Sequence, residues 1–392
     1  MNMNRILTMS AATLLAACSA DDVTMPVGEI AGPAFNRSSN PTGAVYVQTN
    51  DGSNNQVIAY NRAANGRLAS SKTIDTGGRG TGTPRLGSQG SVLLSDDNKY
   101  LYVTNGGSDD ISVFDVTKRT PSLLQTISSG GTAPYSITRH GGLVYVLNEG
   151  GLDSGPASNI TGFTVAPDGR LTALAGSTRP LSTAYAQPAQ VSFSPDGSTL
   201  VVTEKATDKI DTFAVGANGL PSAATVHESN GQTPFGFAFR GDNVFVVTEA
   251  HAGTEGLASA SSYTLDGGFR SIDPPSVPDF ETDVCWTVIA GGGRFAYVTN
   301  FGSGTISSYT IAMSGSLTLL EQVAGRTAAA QGPRDQDLDD SGQYLYVLDV
   351  GFADAATRAV NAFSIGADGK LTKIGSWPLP GNFPNVAGLA AN

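Results

Sequence analysis

The sequence is poor in cysteine, histidine and charge. Its 392 residues include two cysteines and three histidines, and 15% are charged, against roughly 25% in an average globular protein. Two cysteines cannot supply the disulfide framework of a small secreted domain, and three histidines in separate segments argue against a zinc cluster. Acidic residues outnumber basic ones by 34 to 23. The net charge of −11 therefore argues against a nucleic-acid partner, which needs a basic surface.

Common catalytic signatures and long apolar runs are also missing. Neither G-x-S-x-G nor H-E-x-x-H occurs, and the glycine clusters follow predicted strands without preceding a helix, unlike phosphate-binding loops. The uncharged stretch from Ile6 to Ala17 is shorter than the about 20 residues that span a bilayer. Because it follows a single cation, Arg5, it predicts a secretory signal.

The end of this stretch, Leu15-Ala16-Ala17-Cys18, resembles the cleavage box of bacterial lipoproteins. The resemblance implies a signal peptide over residues 1–17, a lipidated Cys18 and a flexible tether over 18–42. Ser19 then favours the periplasmic side of the outer membrane in a bacterial cell envelope, with the lipid as the protein's one contact with the membrane. The alternative is ordinary secretion, with Cys18 incidental.

The sequence is rich in glycine, with 48 residues, and it contains one unit repeated seven times. The most regular part of the unit is a short β-branched and aromatic run that ends in a polar residue, a pattern that predicts a buried strand. We call it strand B. Its copies are AVYVQTN (44–50), YLYVTN (100–105), LVYVLN (143–148), TLVVTE (199–204), VFVVTE (244–249), FAYVTN (295–300) and YLYVLD (344–349).

Each strand B is followed by an alternating strand C, a glycine-bearing turn and a weaker strand D, and is preceded by a short strand A. Seven such units of about 50 residues predict an all-β, seven-bladed β-propeller of four-stranded antiparallel blades over residues 43–392. The first unit lacks a strand A, and the segment PNVAGLAAN (384–392) supplies a spare one, so we expect the last strand to close the ring. Two stacked β-sandwiches are the alternative fold.

In such a blade the B–C and D–A connections share one face, and here they are the long ones. Polar residues at the ends of strand B and the starts of strand A are expected around the channel mouth on this face. They could bind a hard cation, supply a general acid or base, or only cap the strands. The candidates are Gln187, Gln190, Glu204, Lys205, Glu249, His251, Trp286, Asn300, Arg334 and Asp349.

The repeats YVTN…ISVFDV and VSFSPDG resemble the lactonase-type seven-bladed propellers, which include the propeller phosphogluconolactonases and the 3-carboxymuconate cyclases. The resemblance covers about residues 43–392 and implies the opening or closing of a lactone ring, without metal in some members. Where members often have HPH, this chain has Gln187-Pro188-Ala189, and where they have GPRH it has Thr233-Pro234-Phe235-Gly236. The family glutamate matches Glu249, and a Pro-Arg pair matches Pro333-Arg334.

The first hypothesis is therefore a divergent, exported lactone hydrolase, or lactonizing cyclase, acting on a neutral or weakly charged lactone. Glu249 is the expected general base, with His251 nearby, and Arg334 would stabilise the oxyanion. Gln187, Gln190 and Trp286 would orient the substrate, together with the other rim residues.

Two rival hypotheses stay open on the sequence. One is a non-catalytic, lipid-anchored module that binds an envelope ligand, which the missing His and Arg positions favour. The other is a hydrolase that uses Ca²⁺ held by the Glu and Asn rim. We expect no cofactor for the lactone hydrolase or for the binding module.

Overall fold

The computed structural model describes residues 42–392, apart from 84–85, 153, 273, 328–330, 353–355 and 357. The predicted signal peptide, nearly all of the tether and Cys18 lie outside the described residues. Within this part of the chain, no helix is both long and apolar enough to cross a membrane.

Seven separate antiparallel sheets form the fold, as the seven repeats predict. Blade 1 contains β1 (Gly43–Gln48), β2 (Gln56–Arg62), β3 (Leu68–Asp75) and β30 (Ala387–Ala391), and blade 2 contains β4 (Val92–Leu94), β5 (Tyr100–Asn105), β6 (Asp110–Asp115) and β7 (Ser122–Ser128). Blade 3 contains β8 (Pro134–His140), β9 (Leu143–Asn148), β10 (Asn159–Val165), β11 (Leu171–Ala173) and β12 (Arg179–Pro180). Blade 4 contains β13 (Pro188–Phe193), β14 (Thr199–Glu204), β15 (Lys209–Ala214) and β16 (Thr225–Glu228).

Blades 5–7 follow the same plan, and a single 3₁₀ turn at His251–Gly253 accompanies the described strands. Blade 5 contains β17 (Pro234–Phe239), β18 (Val244–Glu249), β19 (Ser259–Thr264), β20 (Arg270–Ser271) and β21 (Val277–Pro278). Blade 6 contains β22 (Val284–Ala290), β23 (Phe295–Asn300), β24 (Thr305–Ile311) and β25 (Leu317–Arg326). Blade 7 contains β26 (Pro333–Leu338), β27 (Tyr344–Asp349), β28 (Ala359–Ile365) and β29 (Leu371–Pro378).

The repeated strand B is buried on both faces, because each blade packs between two others. In blades 3, 6 and 7 the tyrosine of strand B carries its hydroxyl through this apolar layer to the C–D turn of the next blade. Tyr145 donates to the carbonyl of Gly219 at 2.6 Å, and Tyr297 donates to that of Gly369 at 2.7 Å. A buried polar group that would otherwise be costly thus connects neighbouring blades.

The threonine of the same motif makes a second connection to the next blade. Thr203, Thr248 and Thr299 each donate to a backbone carbonyl in strand A of the following blade, at 2.5, 2.6 and 3.0 Å. The accepting carbonyls are, in the same order, those of Phe235 in blade 5, Cys285 in blade 6 and Arg334 in blade 7. The motif therefore fixes strand A, which faces the central channel.

The ring closes as the sequence predicts. Strand β30 pairs with β1 as the missing strand A of blade 1, with Val45 opposite Ala391 and Val47 opposite Leu389. The Asp337 carboxylate in blade 7 accepts the backbone N–H of Ala391 at 2.9 Å, so the closing strand is bonded to both the first and the last blade.

Removing residues 382–392 should destabilise all seven blades, because blade 1 would lose its strand A and the ring would open. We expect the loss to approach the ~5–15 kcal/mol total stability of a typical domain. Thermal unfolding followed by circular dichroism measures it, and a synthetic peptide of residues 382–392 added in trans should restore part of the melting temperature. A truncated chain that melts like the full one would contradict closure by β30.

Candidate functional site

Two rings of residues surround the channel mouth on the face of the long loops. One ring is the residue that directly follows each strand B. The other is the second residue of each strand A. The best-defined members, in blades 3–7, are Glu149, Lys205, Ala250, Phe301 and Val350 from the first ring and Tyr135, Ala189, Phe235, Cys285 and Arg334 from the second. Most of the apolar members join one buried cluster with Trp286.

Aromatic rings and two cations alternate around this mouth. The Arg334 guanidinium lies 5.2 Å from the ring centre of Phe301 and 5.8 Å from that of Trp286. Trp286 packs on Phe235 with 5.2 Å between ring centres, and the Lys205 ammonium lies 5.0 Å from the Phe235 ring. Flat rings stabilise both cations in a site that shields them from water.

Lys205 is a partly buried cation at the mouth. Its Nζ donates to the backbone carbonyl of Gly87 and lies 5.7 Å from the ring centre of Tyr135. Burial lowers the pKa of Lys205 to about 8, although the Glu149 carboxylate opposes this shift. The side chain therefore changes charge near neutral pH.

Glu149 supplies the carboxyl group of the mouth and is 8% exposed. Burial raises its pKa, and a hydrogen bond from the Tyr135 hydroxyl and the charge of Lys205 oppose the rise. Its backbone is fixed, since its N–H donates to Ala133 and its carbonyl accepts from Ser158. A carboxyl group with a raised pKa beside a lysine with a lowered one is an arrangement suited to acid–base chemistry.

Two further titratable side chains, Cys285 and Asp335, are buried in strand A of blades 6 and 7. Burial raises the pKa of the Cys285 thiol well above its usual value, so the thiol stays protonated and is a poor nucleophile at neutral pH. Burial also raises the pKa of Asp335, to about 6.

Residues 86–90 reach across the channel to these groups, and we call this segment the strap. Ser88 accepts from the Trp286 indole at 3.0 Å through its carbonyl and donates to the Tyr135 carbonyl at 2.8 Å through its hydroxyl. The Gln89 N–H donates to the Ala189 carbonyl at 3.1 Å. The strap thus contacts blades 3, 4 and 6.

Of the residues that the sequence placed at the rim, the structure brings together Lys205, Trp286 and Arg334. Gln187 lies nearby, and its carbonyl accepts the N–H of Lys205 at 3.2 Å. Gln190 is buried, and its amide bonds the backbone N–H and carbonyl of Phe237 in blade 5 at 2.7 and 2.9 Å.

Glu249 and His251 lie together, through Ser259, in a second place. The Ser259 hydroxyl donates to the Glu249 carboxylate at 2.7 Å and lies 2.9 Å from Nε2 of His251. Ser261 and the N–H of Gly231 also donate to this carboxylate, at 2.5 and 3.1 Å. Glu249 is fully buried, and these bonds hold the preceding D–A loop against its own B–C hairpin. A catalytic role for Glu249 or His251 stays a prediction.

Of the other candidates that end strand B, Glu204 also bonds the preceding D–A loop, whereas Asn300 and Asp349 bond their own B–C segment. Asn300 donates to Thr305 and Ser307 of its own strand C at 3.1 and 2.7 Å. Asp349 accepts the N–H of Gly351 at 2.8 Å, and Glu204 accepts the N–H of Ser182 at 3.0 Å. Burial and the neighbouring Glu204 carboxylate raise the pKa of Asp211.

Sequence reasoning identified part of this rim but did not select Glu149, Tyr135 or Phe235 as site residues. A signal for them is present, since side chains alternate along a strand. If the last residue of strand B latches the loop behind it, the next residue points towards the channel. Among the described residues, no group of three or more His, Cys, Asp or Glu side chains is placed to hold a metal ion.

The latch can be tested at a glycine, because a Cβ at Gly231 would lie 2.6 Å from Oε2 of Glu249. We expect Gly231→Ala to lower the free energy of unfolding by about 1–3 kcal/mol, as overpacking does in other cores. Gly142→Ala is the matched control, since a Cβ there meets nothing within 4 Å. Chemical denaturation of the two variants measures the difference, and equal stabilities would contradict the latch.

Comparison with known proteins bears on the fold and the family. Three solved structures resemble the chain: a protein from Lactobacillus plantarum (18% identity, 89% of this chain and 99% of that one, TM-score 0.68), a protein of unknown function from Desulfotomaculum acetoxidans (14%, 89% and 98%, 0.66) and a periplasmic gluconolactonase from Pseudomonas aeruginosa (16%, 89% and 98%, 0.64). At these identities the likeness shows the fold alone. No curated protein sequence matches the chain significantly.

The family model described as lactonase, seven-bladed β-propeller, matches residues 34–179, 156–255 and 185–382. Together these matches span most of the chain, including every blade. The chain belongs to the seven-bladed β-propeller lactonase family.

Proposed function

We propose that the protein hydrolyses a lactone at the channel mouth, with Glu149 as general base and with Lys205 and Arg334 as the groups that stabilise the oxyanion. The observation that carries the proposal is the pairing of one buried carboxyl group with two desolvated cations on aromatic walls. Membership of the lactonase family supports the reaction class.

In the proposed first step, the Glu149 carboxylate takes a proton from water as the water oxygen bonds to the lactone carbonyl carbon. The negative charge that develops on the carbonyl oxygen is stabilised by the Lys205 ammonium and the Arg334 guanidinium. Because the mouth is largely shielded from water, these interactions are stronger than they would be at the surface.

In the second step, the ring carbon–oxygen bond breaks, and the leaving oxygen takes the proton now held by Glu149. The product hydroxy acid loses its carboxyl proton to water, and both cations favour the resulting carboxylate. Tyr135 holds the Glu149 carboxyl in place, and the rings of Trp286 and Phe235 suit the apolar faces of a neutral or weakly charged lactone.

The proposal predicts a bell-shaped pH dependence of kcat/KM. Glu149 must be ionised, and its raised pKa places the rising limb above the usual range of a glutamate. Lys205 must be protonated, so activity should fall as the pH rises through about 8.

Lys205→Arg should keep activity at higher pH, because arginine stays charged. A pH-stat assay on a panel of lactones measures this, and an unchanged falling limb in Lys205→Arg would contradict the role of Lys205.

Glu149→Gln should lower kcat by about 10²–10⁴-fold without unfolding the protein. Glu249→Gln is the informative comparison, since the sequence favours Glu249 as the base whereas the geometry favours Glu149. Loss of turnover in the folded Glu249→Gln protein, with Glu149→Gln fully active, would reverse the assignment. A folded wild-type protein that opens no lactone would favour the binding module instead.

We also propose that the protein is exported and anchored by a lipid on Cys18. Metabolic labelling with a fatty acid should mark the wild-type chain and leave Cys18→Ala unlabelled. Equal labelling of the two chains, or none of either, would contradict the anchor.

A further inference from the structure

We infer that Gln89 of the strap is a positioning residue: it fills the space left by Gly236, bonds the strap to blade 6, and thereby holds Lys205 and Trp286 in place. The inference deepens the proposed function, because the site that it positions is the one proposed above.

Side chains of strand A bridge neighbouring blades around the channel. In blade 3, the Ser136 hydroxyl accepts the N–H of Val191 in blade 4 at 3.2 Å. In blade 4, the Gln190 amide makes a two-point bond to Phe237 in blade 5, as described above. The strands A of adjacent blades are not paired with each other, so such side chains are needed to connect them.

Blade 5 cannot make this bridge, because the corresponding residue is Gly236. Gln89 fills the vacant place beside Gly236 and bonds blade 6 from the strap. Its Oε1 accepts the N–H of Thr287 in blade 6 at 3.1 Å, and its Nε2 donates to the Thr287 carbonyl at 2.8 Å. This is the same two-point pattern that Gln190 makes with Phe237, but the amide comes from the strap.

Gly236 and Gln89 occupy one space. A Cβ at Gly236 would lie 2.1 Å from Oε1 of Gln89 and 2.7 Å from the Cys285 carbonyl oxygen. A side chain at this position therefore excludes the strap amide. The glycine in blade 5 thus makes the space that the Gln89 amide of the strap occupies.

The strap residues on either side of this amide touch the site directly. The Gly87 carbonyl accepts from Lys205, and the Ser88 carbonyl accepts from the Trp286 indole at 3.0 Å. A Cβ at Gly87 would lie 3.0 Å from the Lys205 Nζ, so the strap also shields the amine from water. Since Gln89 fixes the strap across the channel, it sets the position and the hydration of Lys205.

The test uses the pH dependence of Lys205 acylation by acetic anhydride, read by peptide mass spectrometry on the folded protein, with the exposed Lys118 as internal reference. Gln89→Ala should hydrate Lys205 and move its titration from about 8 towards the usual value of 10.5. The rate of Lys205 acylation at pH 8, relative to Lys118, should then fall by about tenfold or more. Gln89→Met keeps most of the side-chain volume but removes the two hydrogen bonds to Thr287. It should shift the Lys205 titration in the same direction as Gln89→Ala, because the hydrogen bonds fix the strap.

Gln190→Ala is the matched control, because it removes the same two-point bond between blades 4 and 5 and leaves the strap intact. We expect a loss of stability similar to that in Gln89→Ala, with the Lys205 titration unchanged. If Gln89→Ala and Gln89→Met both leave the Lys205 titration at its wild-type position, or if Gln190→Ala shifts it equally, the inference is overturned.

Acylation needs no turnover, so this test separates the inference from the proposed function. If the protein opens a lactone, Gln89→Ala should also lower kcat by about tenfold with a smaller change in KM, because it displaces a group that acts in the transition state. If no lactone is opened but the Lys205 titration shifts as expected, the strap role stands and the lactonase proposal fails. If the protein opens a lactone but the Lys205 titration in Gln89→Ala is unshifted, the lactonase proposal stands and the strap role fails.

Discussion

Side-chain hydrogen bonds between neighbouring blades are the constraint on which this structure depends. Each described sheet pairs its own strands, so bonds between blades must come from side chains and loops. Threonines of several strands B bond the next strand A, tyrosines of several bond the next C–D turn, and Glu249 bonds the preceding loop. Because all three are buried, losing one partner leaves an unsatisfied group, and that cost makes the blade register specific.

The candidate site is a consequence of this bonding. The threonines of strand B donate to the carbonyls of Phe235, Cys285 and Arg334 and so fix these residues, which line the channel mouth. The latches orient the residue that follows each strand B, which places Glu149 and Lys205 opposite the strand A ring. Burial then shifts both pKa values in directions useful for acid–base chemistry, and the aromatic rings make a desolvated cation tolerable.

The sequence was sufficient for the fold, because each repeat carries the same local pattern, and the closing strand follows from a missing strand A. It was less sufficient for the site. Glutamate 249 at the end of an apolar strand suggests either a buried base or a structural cap, and only the three donors around it show its structural use. The strap was not predictable from periodicity, since Gln89 contacts Thr287, 198 residues away, in another blade.

The most direct test of the account is the fluorescence of Trp286 during titration with a lactam, an unreactive analogue of a lactone. Trp377 is the other tryptophan, so the Trp377→Phe variant isolates the signal. Since Trp286 lies between Arg334 and Phe235 at the mouth, the account predicts a saturable change in its emission that Lys205→Met weakens. Binding of the lactam, measured by calorimetry, that leaves the emission of Trp286 unchanged would place the site elsewhere and contradict the account.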